Sequence, residues 1–137
     1  MVRQIVRDTM FLMRKSQPAT KADLPIAKDL ADTLMAYQED CVGLAANMIG
    51  QSKSIIAISL GGIPVVMMNP RLCAHSQEQY ETEEGCLSLT GVRSVKRYRW
   101  IEVSYQDMRL RPCKATYHDY VAEIIQHEID HCNGILI

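Results

Sequence analysis

Apolar side chains recur at helical spacing in three stretches of the chain. They predict helices over about residues 2–13, 21–38 and 119–132. Thr20 and Asp119 stand at the starts of the last two helices, and both side chains are typical of helix N-caps. The pattern therefore places two helices early in the chain and one at its end.

Between these helices the apolar period changes to that of β-strands. A β-branched run at residues 55–58, the pair Gly61-Gly62 and a second apolar run at residues 63–68 predict a hairpin, which Asn69-Pro70 should end. Further strands are expected in the mixed stretch 71–83 and over residues 92–98, 100–105 and 110–117. Strands in the middle of the chain and a late helix predict a single α+β domain over residues 1–137.

Composition and charge exclude several classes of protein. The 137 residues carry a net charge of −1, which argues against a nucleic-acid-binding protein, since such proteins are normally strongly basic. No apolar stretch is long enough for a transmembrane helix, and the N-terminal residues lack the apolar core of a signal peptide. Five cysteines, an odd number without a secretion signal, indicate reduced thiols and a cytoplasmic protein.

The last predicted helix contains a candidate metal-binding motif, H-E-x-x-H, at residues 127–131. His127 and His131 lie on one helix face because they are four residues apart, so both imidazoles can reach one metal ion. Glu128, directly after the first histidine, can face a water bound to that ion. The spacing predicts a catalytic metal site; two ordinary helix histidines beside a solvated glutamate are the alternative interpretation.

A catalytic site of this kind needs a third protein ligand, which must lie upstream because only six residues follow the motif. Cys132 is adjacent to the second histidine and points about 100° away around the helix. Cys86 is favoured because the glycine before it allows the backbone to come close to a ligand. Cys73 and Cys113 remain open as alternatives at this point.

Three segments of the chain resemble the three signature motifs of peptide deformylases. Residues 84–88 (EGCLS) and 126–131 (QHEIDH) match the second and third motifs in full. Residues 41–48 (CVGLAANM) resemble the first, G-apolar-G-apolar-A-A-x-Q, with Cys41 in place of a glycine and Met48 in place of the glutamine. The order and spacing of the motifs agree with the family, and the resemblance runs from about residue 20 onward.

The resemblance implies an α+β fold in which antiparallel or mixed β-sheets pack around a central helix that carries H-E-x-x-H. It implies a hydrolase that removes the formyl group from the N-terminal formyl-methionine of nascent peptides. The implied cofactor is one divalent metal ion, Fe²⁺ natively, with Zn²⁺, Ni²⁺ or Co²⁺ as substitutes. The implied partners are N-formylated nascent peptides and, in some relatives, the ribosome; no nucleic acid or membrane is expected.

The resemblance also assigns catalytic roles. Cys86, His127 and His131 would bind the ion, and Glu128 would act as general base. The backbone N–H of Leu87 would donate a hydrogen bond to the oxyanion that forms during hydrolysis.

The second oxyanion donor of the family is the motif glutamine, and here that position is Met48. A thioether cannot donate a hydrogen bond. Asn47 is one residue away and should point elsewhere. We therefore expect Met48 to lower or change the activity.

The resemblance implies that a peptide substrate adds as a strand along residues 41–43. The implied substrate-contacting positions are Cys41, Val42, Gly43, Gly85, Arg93 and Glu123. Cys41 either narrows the groove or acts as a small buried filler, and Glu123 makes the methionine pocket more polar only if it points inward. Glu84 and Arg97 are expected to form a supporting ion pair.

Three functional hypotheses follow. The favoured one is an active deformylase, or a related amide hydrolase with changed selectivity. The second is a homologue that has lost deformylation and binds N-terminal peptides, which the change at Met48 supports. The third is a purely structural metal site, which is disfavoured because such a site uses four protein ligands and has no need of Glu128.

Overall fold

A computed structural model describes residues 1–137 of the chain, which form three α-helices and seven strands. The helices are α1 (Thr9–Leu12), α2 (Leu24–Ala36) and α3 (Asp119–Cys132). The strands are β1 (Gly43–Ala45), β2 (Ile55–Leu60), β3 (Ile63–His75), β4 (Gln79–Cys86), β5 (Leu89–Tyr98), β6 (Trp100–Gln106) and β7 (Pro112–His118). Short 3-10 turns cover Lys21–Asp23 and Ala46–Ile49. None of the helices is long and apolar enough to cross a membrane.

The strands form two separate antiparallel units. Five of them make one sheet in the order β1-β2-β3-β6-β7, while β4 and β5 pair only with each other. β1 is an edge strand, so one side of its backbone has no strand partner. α3 packs against β1 and β2 and also contacts β5, so this helix joins the two units. The α+β fold with sheets around the helix of the H-E-x-x-H motif is therefore confirmed.

The core is one cluster of 24 buried apolar residues. Its centre is β2, where the four successive residues Ile55–Ile58 are all fully buried. Successive side chains of a strand point to opposite faces, so both faces of β2 are covered. Both α2 and α3 pack against this strand, which fixes the helix of the motif on a rigid support.

Most predicted elements form where the apolar pattern places them. The hairpin between β2 and β3 turns at Gly61 and Gly62, whose φ angles of 60° and 83° suit a two-residue hairpin turn. Ahead of α2, the Asp23 carboxylate accepts a hydrogen bond from the Thr20 backbone N–H at 2.8 Å. Strands β5, β6 and β7 also occupy the predicted stretches, and the stretch 71–83 holds the end of β3 and the start of β4.

The predicted first helix, over residues 2–13, is wrong. Only Thr9–Leu12 is helical, and the residues before it have no regular secondary structure. Their backbone donors are used in tertiary contacts: the Arg3 N–H donates to Thr33 Oγ1 at 2.9 Å and the Val6 N–H to the Met48 carbonyl at 2.7 Å. The segment thus packs apolar side chains on the core without a helix.

Two predicted boundaries are also wrong. Asn69-Pro70 does not end the second strand of the hairpin, because Asn69 adopts a φ of 52° at an irregularity and β3 continues to His75. Asn69 is held there by hydrogen bonds between its side-chain amide and the backbone of Ala19. Asp119 is not the cap of α3, which is His118; the Asp119 N–H instead donates to the Arg99 carbonyl at 2.8 Å.

Candidate metal centre

Three side chains from two elements converge at the junction of the helix and the small hairpin. Cys86 ends β4, and His127 and His131 lie one turn apart on α3. Their ligand atoms all lie within 4.8 Å of one another. The two Nε2 atoms are 3.1 Å apart, and the cysteine Sγ is 3.4 Å from Nε2 of His131. The other cysteines lie outside this cluster, including Cys73, Cys113 and Cys132.

This donor set fits a divalent transition-metal ion. Donors that share one tetrahedral ion stand about 3.5 Å apart, given the usual bond lengths to nitrogen and sulfur. A thiolate and two imidazoles suit iron and zinc alike. His131 is fully buried and His127 is 7% exposed, so two ring nitrogens face each other away from bulk water. Three protein donors leave a coordination position for water or substrate, as in catalytic sites.

A buried ion pair supports His127 from behind. Oε1 of Glu84 lies 2.7 Å from its Nδ1, and Arg97 donates two hydrogen bonds to the same carboxylate at 2.6 and 2.9 Å. Arg97 also donates to Asp130 at 2.6 Å, so the ion pair expected between Glu84 and Arg97 forms within a larger network. A carboxylate at Nδ1 fixes the tautomer in which Nε2 can bind a metal.

The two histidines have very different proton affinities. Burial and the adjacent His127 lower the pKa of His131 to about 3. Burial would also lower the pKa of His127, but the adjacent Cys86 thiol and the hydrogen bond with Glu84 raise that pKa to about 10. A metal ion binds neutral imidazole, so metal binding at His127 competes with a proton.

Glu128 stands beside the cluster with an unused oxygen. Its side chain is 4% exposed, and Oε1 has no hydrogen-bond partner. Burial raises the pKa of this carboxyl group to about 7. A buried carboxyl group with this pKa can take up and release a proton near neutral pH.

A cavity of about 520 Å³ opens next to the cluster, between α3, β1 and the hairpin of β4 and β5. All of the predicted site residues line it except His131 and Arg93. His131 lies deeper, behind Cys86 and His127. The fold thus gathers the segment 41–48, the end of β4 and α3 around one space.

The side chains of Met48 and Asn47 point in different directions relative to the cavity. Met48 lines the cavity, and its Sδ accepts a hydrogen bond from the Ala45 N–H at 3.5 Å. Asn47 points away, and its amide donates to the His131 carbonyl at 2.9 Å. Neither side chain therefore offers a hydrogen-bond donor to the cavity.

Gly43 is required by the position of Glu128. A Cβ atom at Gly43 would lie 2.8 Å from Oε2 of Glu128 and 2.9 Å from Cγ2 of Ile124. Gly85 is different, because an added Cβ there would meet nothing closer than the Gly91 carbonyl oxygen at 3.7 Å. The protein itself therefore leaves room for a Cβ atom at Gly85, and the expectation that this glycine lets the backbone approach a ligand stays a prediction.

Cys41 and Val42 precede β1 at the rim of the cavity. Burial raises the pKa of the Cys41 thiol to about 12, with the nearby Glu128 adding to the effect, so the thiol is protonated at neutral pH. The Val42 carbonyl already accepts the Ser59 N–H at 2.8 Å. Only the open side of this edge is available to a further strand.

Glu123 lines the cavity, whereas Arg93 does not. Glu123 points inward, and its Oε1 accepts a hydrogen bond from the Tyr80 hydroxyl at 2.9 Å. Burial raises the pKa of this carboxyl group, and so does the neighbouring Glu84. Arg93 pairs in register with Glu84 on the adjacent strand and lies outside the cavity wall; its Nη1 is buried without a partner.

Sequence reasoning missed two supporting contacts. Tyr80 holds Glu123, and no sequence pattern links a tyrosine on β4 to a glutamate on α3. Gln126 docks α3 on β5, since its side chain accepts the Tyr98 N–H at 2.9 Å and donates to the Tyr98 carbonyl at 3.0 Å. The position of Gln126 directly before His127 is the sequence signal that could have identified this contact.

Comparisons with known proteins agree with this geometry. The family model described as polypeptide deformylase matches residues 2–137. The peptide deformylase of Clostridium beijerinckii is 49% identical over 137 residues, which is the full length of both chains. The crystal structure of the Legionella pneumophila peptide deformylase superposes with a TM-score of 0.90 at 32% identity, covering 99% of this chain and 83% of that one.

A third relative was solved with a peptide. The peptide deformylase of Acinetobacter baumannii with Met-Ala-Ser bound superposes with a TM-score of 0.89 at 27% identity, covering 99% of this chain and 97% of that one. The family consists of metallohydrolases that act on N-formyl peptides. On the full-length family match and the close relatives, the chain belongs to the polypeptide deformylase family.

Proposed function

We propose that this chain hydrolyses the formyl group from the N-terminal formyl-methionine of nascent peptides and releases formate and a free α-amine. The observation that carries the proposal is the buried cluster of Cys86, His127 and His131 with the free carboxyl oxygen of Glu128 beside it. Family membership supports it, since deformylases remove N-formyl groups from nascent peptides. The Acinetobacter baumannii relative with Met-Ala-Ser bound supports a peptide in the cavity.

Cys86, His127 and His131 are the proposed ligands of one divalent ion, Fe²⁺ natively, with Zn²⁺, Ni²⁺ or Co²⁺ able to replace it. When bound, such an ion lowers the pKa of a water molecule and polarises the formyl oxygen. Glu84 contributes by holding Nδ1 of His127, which keeps Nε2 directed at the cluster.

Glu128 is the proposed general base. Its unpartnered Oε1 takes a proton from the attacking water as that water adds to the formyl carbon. It then delivers the proton to the nitrogen of the leaving amine as the carbon–nitrogen bond breaks. The remaining proton of the water leaves the formic acid product as it ionises, so water and the formamide become formate and the protonated amine, with Glu128 returned to its starting state.

The negative charge that develops on the formyl oxygen needs hydrogen-bond donors. The proposed donor from this chain is the backbone N–H of Leu87, which lines the cavity and makes no hydrogen bond within the chain. The Met48 thioether offers no second donor. A chain with Leu87 alone should therefore turn over more slowly than one with a glutamine at residue 48.

The proposed substrate-binding surface runs along the open edge of β1. The substrate backbone pairs there as an added strand, beside Cys41, Val42 and Gly43. Other proposed contacts with the substrate come from Gly85, Arg93 and Glu123, with Glu123 making the side-chain pocket polar. The proposed place of action is the cytoplasm, on chains that emerge from the ribosome.

The test is formate release from formyl-Met-Ala-Ser by protein purified without oxygen and loaded with Fe²⁺ or Ni²⁺. The wild-type protein should release formate, and Cys86→Ala should lose both the ion and turnover. Cys113→Ala is the matched control, because this cysteine lies on β7 outside the cluster, and it should keep both. A wild-type protein that holds one ion per chain and releases no formate would refute the proposal.

A further inference from the structure

The irregular N-terminal segment touches both walls of the cavity. The Val6 N–H donates to the Met48 carbonyl at 2.7 Å, and Nη1 of Arg7 donates to the Leu87 carbonyl at 2.8 Å. Met48 and Leu87 come from chain segments far apart in sequence, and both line the cavity. The segment therefore ties together the two walls between which the formyl oxygen is proposed to lie.

The turn that carries Leu87 is not one of the two-residue hairpin turns that fit the strand twist best. Leu87 and Ser88 form a two-residue connection, because Cys86 pairs with Leu89. Favoured turns of this length need a positive φ at the first central residue, and neither Leu87 nor Ser88 has one. The strand register also shifts just before it, between Gly85 and Cys86. Side-chain contacts can therefore contribute support to this turn.

Two side-chain contacts supply that support. From the inner side, Sγ of Cys86 accepts the Ser88 N–H at 3.3 Å. From the outer side, the Arg7 guanidinium binds the Leu87 carbonyl. The Leu87 N–H belongs to the same turn and has no partner within the chain. A free backbone donor at a cavity wall is useful for catalysis only if its direction is fixed.

We propose that Arg7 is a positioning residue, which holds the Leu87–Ser88 turn so that the Leu87 N–H points at the oxygen that becomes negatively charged. This inference rests on the proposed function, because it assigns the orientation of the donor used there. Arg7 acts through Leu87 and does not itself touch the substrate. The contact between Arg7 and the Leu87 carbonyl is important in this chain because Met48 cannot donate a hydrogen bond to the oxyanion. The Leu87 N–H is then the proposed donor from the residues around the cavity.

The experiment compares Arg7→Ala with Arg3→Ala. Arg3 belongs to the same N-terminal segment, but its guanidinium binds Asp29 on α2, away from the cavity. Arg7→Ala should lower kcat for formyl-Met-Ala-Ser by about tenfold or more, since small misplacements of catalytic groups have effects of this size. KM and the metal content should stay close to those of wild type. Arg7→Lys should recover most of the loss, and Arg3→Ala should keep the wild-type kcat.

Two results would overturn the inference: a wild-type kcat in Arg7→Ala, or an equal loss in Arg3→Ala, which would mean a general effect of the segment. The amide chemical shifts of Leu87 and Ser88 in the Zn²⁺-loaded protein give a readout independent of turnover. They should move in Arg7→Ala and stay in place in Arg3→Ala; unmoved shifts in Arg7→Ala would also overturn the inference. Absence of turnover in the wild-type protein would instead refute the proposed function, and the shifts would still decide whether Arg7 orients the turn.

Discussion

Oε1 of Glu84 lies 2.7 Å from Nδ1 of His127, while Nε2 of the same ring faces His131. The carboxylate is itself held by Arg97, and all three side chains are buried. A ring fixed in this way has one nitrogen committed to the protein and the other free for a metal ion. The ion pair of Glu84 and Arg97 therefore serves the metal centre as well as the fold.

Glu84→Gln should weaken metal binding by about 10- to 100-fold, as is typical when the partner of a ligating histidine is changed. The amide can still accept a hydrogen bond, but it supplies no negative charge to His127 and pairs poorly with Arg97. Competition with a chromophoric chelator measures the affinity for Zn²⁺. Glu81→Gln, an exposed change on the same strand, is the control, and an equal affinity for the Glu84 variant and the control would contradict this role.

Gly43→Ala should lower kcat by about tenfold or more while the ion is retained, because the new methyl group displaces Glu128 from its place. The comparison is Thr116→Ala, an exposed change on β7 that lies outside the cavity and leaves Glu128 undisturbed. Steady-state formate release and metal analysis on both variants provide the measurement. Similar losses in the two variants would show that contact between Gly43 and Glu128 is not the reason.

Met48→Gln should raise kcat by about tenfold or more, because it adds a donor for the oxyanion. The glutamine carbonyl oxygen can take over the Ala45 N–H that Sδ now accepts, which leaves its amide free to donate into the cavity. Met48→Leu removes the sulfur without adding a donor and should show no gain. If Met48→Gln is no faster than wild type, another group already makes the oxyanion contact.

The apolar pattern predicts the fold well wherever burial follows a regular period. α2, α3 and the hairpin of β2 and β3 form as expected because each has a face, or two faces, that must be buried. The helix predicted over residues 2–13 fails because tertiary partners take its backbone donors, as the bond from Val6 to Met48 shows. No local pattern reveals a competing partner about forty residues away.

The candidate site also contains some residues that the sequence predicts and others that it does not. His127 and His131 are recognisable because metal chemistry demands imidazoles at that helical spacing, whereas Cys86 is identified by the resemblance of residues 84–88 to the second family motif. The structure brings all three together. The direction of Glu123 was not predictable, since it depends on how Tyr80 and α3 pack. Arg7 could not be found from the sequence either, because its partner is a backbone carbonyl, which any residue at position 87 would provide.

The role of Glu128 as general base is tested most directly by formate release from Glu128→Gln, with the metal content determined in the same preparation. The substitution keeps the size of the side chain and removes only its ability to accept a proton. Glu128→Gln should hold one ion per chain, as the wild-type protein does, and should release formate about 10²-fold or more slowly. Turnover that persists at the wild-type rate, with the ion in place, would contradict the role of Glu128 and the mechanism built on it.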